Sequence, residues 1–251
     1  MEAERLAVAR EHALAYQEDL RGRVSLAGCD VPMSAHVEEG SVVERLDGHV
    51  RETRADLLVM TTHGRGPLSR AWLGSVADGL IRRTPCPILA IRPDEGEKLE
   101  LKEKEFRHLL VTLDGSPESR EILPYAQDLA RISGARMTLL RVVSPHFPLT
   151  STFISHTSYG SLGPEEETEA ALAALEEEAL ELRTKGFTVD VKTVTASHPP
   201  EGILTFATEE GVDLIAMATH GRGGVSRFFL GSVSDKVIRA GAFPVLLHRA
   251  A

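Results

Sequence analysis

The chain is short of the residues that lock small secreted folds. It has two cysteines in 251 residues, Cys29 and Cys86, and they lie far apart. Neither faces a cysteine in the internal repeat described below. That argues against a disulfide frame or a metal site and for reduced thiols in a cytoplasmic protein. No apolar run approaches the roughly 20 residues needed to span a bilayer. The N-terminus, MEAERLAVAREHALAYQEDL, is charged throughout and has no signal-like apolar core. Positive charge is also short: 28 Lys and Arg stand against 37 Asp and Glu, a net charge of −9. This balance argues against a general nucleic-acid binder and against docking on an anionic membrane. What remains, 42% hydrophobic and 26% charged, suits a soluble globular chain. Its length leaves room for one large domain or two of about 100–150 residues.

What the sequence does have is a repeat. Residues 56–92 read DLLVMTTHGRGPLSRAWLGSVADGLIRRTPCPILAIR, and residues 213–249 read DLIAMATHGRGGVSRFFLGSVSDKVIRAGAFPVLLHR. Without a gap, 20 of the 37 positions are identical at an offset of 157. Each copy joins an apolar run, a THGRG turn, an LGSV segment and a second apolar run. Two domains of one kind are expected, about 1–95 and 106–251, joined by the charged linker DEGEKLELKEKE.

The second unit alternates strand and helix. HLLVTL (108–113) and MTLLRVV (137–143) are apolar strands. Residues 165–185 place Leu172, Leu175, Ala179 and Leu182 at helical spacing. Residues 187–194 alternate like a half-exposed strand. A helix near 200–210 follows, then strand 214–218, a helix from Ser232 and a last strand, 244–247. The order βαβαβαβαβ predicts a doubly wound parallel α/β sheet with strand order 3-2-1-4-5. At the same offset the first unit begins late: its first strand, first helix and second strand have no counterpart. A strand near Val31–Val37 would then lose its neighbour and leave a sheet edge unpaired. We expect from this a shortened version of a longer tandem protein.

Glycine at the end of strand 214–218 permits close approach of a ligand to the backbone in the turn Thr219-His220-Gly221-Arg222-Gly223-Gly224. Nine residues after Gly221, Gly231 and Ser232 open a helix whose first N–H groups and dipole favour an anion. Ser232 and Asp235 have the spacing of a capping box, which can be only a cap. His220 reads as a turn residue or as a ligand contact. Arg222 adds positive charge, whereas Arg227 and Arg239 read as solvated helix residues. Leu230 and Val233 flank the Gly-Ser pair and read as core. The site is predicted at the carboxyl ends of the strands, between strands 1 and 4. Asp114 at the end of strand 1 could bond a ribose hydroxyl or cap the following helix. Val142 could wall a base.

The second unit resembles a universal stress protein domain over its whole length. HLLVTLDGSPESREILPYAQDLA resembles that family's first strand and helix, and TLLRVV its second strand. MATHGRGGVSRFFLGSVSDKVI resembles its nucleotide signature, Gly-x2-Gly-x9-Gly-Ser/Thr. Gly221, Gly231 and Ser232 match the later part of the signature, and its first glycine falls on Ala218, or on Thr61 in the first unit. The family's frequent proline before the strand-1 aspartate falls on Thr112. The resemblance implies a flavodoxin-like sheet and a cytoplasmic stress-response role as an ATP- or AMP-binding sensor, with or without Mg. It implies a binding set of Thr112, Asp114, Val142, Met217, Ala218, His220, Gly221, Arg222, Gly231, Ser232 and Val233. Gly64, Arg65, Gly74 and Ser75 are the incomplete equivalents in the first unit. It also implies pairing through last strands, either in a homo-oligomer or within the chain between Pro87–Ile91 and Pro244–His248. Two alternatives stay open: a dimerisation module of the same fold that binds no nucleotide, and a slow ATPase. No P-loop Gly-Lys-Ser/Thr and no kinase signature set supports the latter.

Overall fold

The structure is a computed structural model that describes residues 1–26, 28, 31–61, 73–92, 105–145, 163–219 and 230–250. The first unit contributes α1 (Glu2–Leu26), α2 (Val42–Thr53), β1 (Leu58–Thr61), α3 (Ser75–Ile81) and β2 (Ile88–Ile91). The second begins with β3 (His108–Thr112), α4 (Pro117–Arg120), α5 (Leu123–Ser133), β4 (Arg136–Val143) and α6 (Pro164–Thr184). It continues with β5 (Val189–Thr195), α7 (Pro199–Glu209), β6 (Leu214–Ala218), α8 (Ser232–Ala240) and β7 (Val245–His248).

A parallel strand covered on both faces needs an apolar side chain at nearly every position. β6 (LIAMA) is buried throughout, and β3 (HLLVT) is buried at its first four residues. These two strands pair in parallel at the centre of the second unit. The full sheet has seven strands in the order β1-β2-β7-β6-β3-β4-β5. From β5 to β7 every pairing is parallel, and numbered within the second unit this is the expected 3-2-1-4-5.

β2 joins β7 in antiparallel register, with Ile88 opposite Leu247, Leu89 opposite Leu246 and Ala90 opposite Val245. The expected pairing of Pro87–Ile91 with Pro244–His248 therefore occurs within one chain. Both last strands become interior strands, flanked on each side.

Residues 31–37 correct the sequence reading. They form no strand, and the sheet edge of the first unit is β1. A strand at that place would need hydrogen bonds from a neighbouring strand, which none of the described residues supplies, and Pro32 has no N–H to give.

Apolar residues fill both faces of the sheet. On one face, Leu80 and Ile81 of α3, Ile203 and Phe206 of α7 and Val237 and Ile238 of α8 pack together. On the other, Ile122, Leu123 and Ala126 beside and within α5 meet Leu175, Ala179 and Leu182 of α6. Each fully buried leucine on these faces contributes about 1.5–3 kcal/mol of transfer free energy. α6 forms because Pro164 opens it, Glu165–Glu167 lie in its first turn against the helix dipole, and Glu166 Oε2 accepts from Gly163 N (2.9 Å). Its inward stripe, Ala171, Leu175, Ala179 and Leu182, is at most 3% exposed. α1 is the long helix of the first unit, yet Leu6, Tyr16 and Leu20 on it are exposed. No helix among the described residues is long and apolar enough to cross a membrane.

Candidate functional site

The carboxyl ends of β3 and β6 are brought side by side by the register Leu109–Leu214, Leu110–Ile215 and Val111–Ala216. Thr112 follows in β3 and Met217 and Ala218 follow in β6, so three of the expected residues share one rim of the sheet. Met217 and Ala218 are buried, and Thr112 is half-buried.

Asp114 stands just beyond β3 and is half-buried. Its Oδ1 accepts from Ser116 N at 2.9 Å and from the Ser116 hydroxyl. Ser116, not Asp114, is the N-cap of α4: its Oγ accepts from Ser119 N at 3.1 Å, and Ser119 Oγ donates back to Ser116 O at 2.8 Å. Pro117 at the first helical position fits this start. The carboxylate is thus held by a serine that sequence reasoning passed over, although Asp-Gly-Ser-Pro spells an Asx turn followed by a cap.

Val142 lies two residues past Leu140, which pairs with Thr112 across the β3–β4 ladder. It packs on α7 at Gly202, where an added Cβ would lie 3.4 Å from Val142 Cγ1 and 2.9 Å from Ala196 Cβ. The half-buried Val142 side chain is therefore backed by a helix that can come close only because residue 202 has no side chain.

The start of α8 differs from the expected capping box. Gly231 is the N-cap, Ser232 is the first helical residue, and no side chain caps the helix. Asp235 instead holds Arg239, with Nε–Oδ1 and Nε–Oδ2 both 2.8 Å, so Arg239 is not a freely solvated residue either. What fixes the start is backbone contact. Gly231 N donates to Thr219 O at 2.8 Å, and a Cβ on residue 231 would come within 2.5 Å of that oxygen. Ser234 Oγ donates to the same oxygen at 3.1 Å and lies 2.9 Å from Gly231 O. Thr219 N in turn donates to His248 O at 2.8 Å. The end of β6, the start of α8 and the end of β7 are strapped together around Thr219. The first-turn amides of α8 have no acceptor inside the helix, which is the feature that suits an anion. Val233 is partly buried and packs on the core beside Leu230, as its apolar character predicts.

The first unit repeats this start closely. Gly74 caps α3 with φ −58 and ψ 145, against φ −58 and ψ 146 at Gly231, and Ser75 is the first helical residue. Ala77 stands where the second unit has Ser234, so the hydroxyl strap is missing. Among the described residues no strand brings an aspartate beside β1. His220, Gly221, Arg222, Gly64 and Arg65 lie outside the described residues.

Beside this rim, His248 at the end of β7 is buried, with Nε2 3.4 Å from Glu121 Oε2 and its ring 4.6 Å from that of Tyr125. Burial pushes its pKa below the ordinary value, and Glu121 opposes that shift. No signal in the sequence marked this residue. No cluster of three or more His, Cys, Asp or Glu side chains suited to a metal occurs among the described residues.

The family model described as "Universal stress protein family" matches residues 1–92 and 105–249. A universal stress protein of Mycobacterium bovis is 29% identical over 195 residues, covering 78% of this chain and 62% of its own length. A second, from Mycobacterium tuberculosis, is 27% identical over 248 residues, covering 96% of this chain and 71% of its own. The chain thus spans less than two thirds of the length of the first of these relatives. Among solved structures, a universal stress protein from Archaeoglobus fulgidus superposes with a TM-score of 0.68 at 21% identity, over 98% of this chain and 79% of that one. That likeness concerns the fold. With a doubly wound sheet and a family match in both units, the chain belongs to the universal stress protein family.

Proposed function

We propose that the second unit binds an adenine nucleotide, ATP or AMP, and that the protein acts as a nucleotide-responsive regulator rather than as an enzyme. The observation that carries this reading is the convergence on one rim of a Ser116-held carboxylate, Asp114, and the glycine-started helix α8. A fixed carboxylate suits the hydroxyls of a ribose. The first-turn amides of α8 suit a phosphate without the lysine of a P-loop. Val142 offers an apolar wall to a base. These residues fit the group chemically. Among the described residues the first unit has the helix start but no carboxylate strand, so one nucleotide per chain is expected.

Calorimetric titration with ATP and with AMP, alongside analysis of nucleotide released by heating the purified protein, tests the reading. Asp114→Asn is expected to weaken binding about tenfold, the loss of one charge-assisted hydrogen bond. No released adenine nucleotide together with no heat on titration would overturn it in favour of a module that works through dimerisation alone.

A further inference from the structure

The carboxylate side and the helix side of the rim are joined by a run of polar contacts. Ser116, which holds Asp114, caps one end of α4, and Glu121 caps the other. Glu121 Oε2 lies 3.4 Å from His248 Nε2. His248 O accepts from Thr219 N at 2.8 Å, and Thr219 O accepts from Gly231 N at 2.8 Å. Asp114 is thus linked to the start of α8 through Glu121, His248 and Thr219. The ring of His248 is the joint in this chain of contacts. It is buried beside Tyr125, and its Nδ1 has no hydrogen-bond partner among the described residues. In the neutral ring the one proton sits on Nε2, facing the carboxylate, and Nδ1 carries only a lone pair. A second proton would make Nδ1 a buried donor with nothing to accept from it, which is costly.

Few charged or titratable groups surround the ring. Glu121 and Tyr125 face it from the α4–α5 side, and Arg249 follows it in the chain. The flanking strands β6 (LIAMA) and β2 (ILAI) bring none. Burial favours the neutral ring, Glu121 opposes that preference and Arg249 adds to it. We propose that Glu121 and His248 are positioning residues for the nucleotide rim, and that a proton taken up by His248 releases the start of α8 and weakens binding. This role rests on nucleotide binding by the second unit. A ring driven out of its pocket pulls away the backbone oxygen that holds Thr219. Gly231 and the first-turn amides of α8 then lose their fixed place on the rim.

Calorimetric titration with ATP from pH 7.5 down to pH 5 should show the dissociation constant of the parent rising at least about tenfold. His248→Gln, which takes up no proton, should lose most of that rise. Protonation of ATP itself is common to both proteins and cancels in the comparison. Glu121→Gln removes the charge that favours the protonated ring, so its rise should begin at lower pH. Without ligand, hydrogen exchange should show the Thr219 and Gly231 amides losing protection at pH 5 in the parent but not in His248→Gln. Equal pH profiles in the parent and both variants overturn the proposal. So does amide protection at Thr219 and Gly231 that is indifferent to His248. No binding of ATP at pH 7.5, with the exchange difference present, overturns the nucleotide reading and leaves the proton-dependent grip on α8 standing.

Discussion

Arg249 reaches from the second unit to the first: its Nη1 donates a 2.6 Å hydrogen bond to the backbone oxygen of Arg82, at the last turn of α3. The reverse contact exists too. Arg92, the counterpart of Arg249 at the offset of 157, lies on Gly241 at the end of α8, where an added Cβ would meet its Cδ at 2.7 Å. Gly241 ends α8 with φ 62, a conformation that favours glycine. Each unit thus places an arginine from beyond its last strand on the carboxyl end of the other unit's helix, where carbonyls lack helical partners and the dipole is negative. Asp78–Arg82 and Asp235–Arg239 reinforce the junction, since each aspartate also raises the pKa of the other unit's arginine.

Removing the Arg249 contact should loosen this junction. Arg249→Ala is expected to lower stability by about 1.5–3 kcal/mol, the range for a hydrogen bond involving a charged group. Arg249→Lys should recover only part of the loss, because an ammonium cannot reproduce the guanidinium reach. Urea denaturation monitored by circular dichroism checks both, and an unchanged midpoint for Arg249→Ala would refute the strap.

At the start of α8, two neighbouring substitutions should separate in size. Gly231→Ala drives a Cβ toward Thr219 O and is expected to cost about 1–3 kcal/mol, in the range of overpacking against unyielding backbone. Ser234→Ala should cost about 1 kcal/mol or less, because Gly231 N still satisfies Thr219 O and alanine already stands at the equivalent position in the first unit, Ala77. Thermal unfolding of the two variants side by side tests the ranking. Equal losses would mean that the Gly231 contact is not what holds the helix.

Two buried histidines should make the fold acid-sensitive. Burial lowers the pKa of His248. Burial also lowers that of His108, where Arg136 Nη2 lies 2.9 Å from Nδ1 and adds to the shift. Because the folded pKa lies below the unfolded value near 6.5, each contribution is complete above about pH 6.5 and is lost as pH falls through the folded pKa. Urea midpoints at pH 7.5 should exceed those at pH 5, and His248→Phe should reduce that difference. A midpoint insensitive to pH in the parent would contradict the shifts.

The sheet core was legible because β3 and β6 are apolar at successive positions, a pattern that only a strand buried on both faces requires. α6 was legible from Leu175, Ala179 and Leu182. The start of α8 was misread because Ser232-x-x-Asp235 spells a cap, and the spelling does not reveal that Gly231 is pressed onto Thr219 or that Arg239 engages Asp235. Residues 31–37 were misread because the strand at 187–194 was carried over at the offset of 157, and likeness to a strand does not say whether a partner strand exists. Ser116 and Ser234 were missed because hydroxyls have no periodicity, and His248 because its burial depends on Tyr125 and Glu121, which are distant in the chain.

The antiparallel joint between β2 and β7 has a consequence for ligand traffic. Direction along the strands reverses there, so β1 and β6, each parallel to its own last strand, end on opposite rims of the sheet. The helix starts that follow them in the chain, Gly74 of α3 and Gly231 of α8, therefore lie toward opposite rims. A molecule arriving at the Asp114 rim cannot use Gly74 and Ser75 to finish its binding surface. The first unit reaches that rim instead along α8, whose end meets Arg92 and whose start is Gly231.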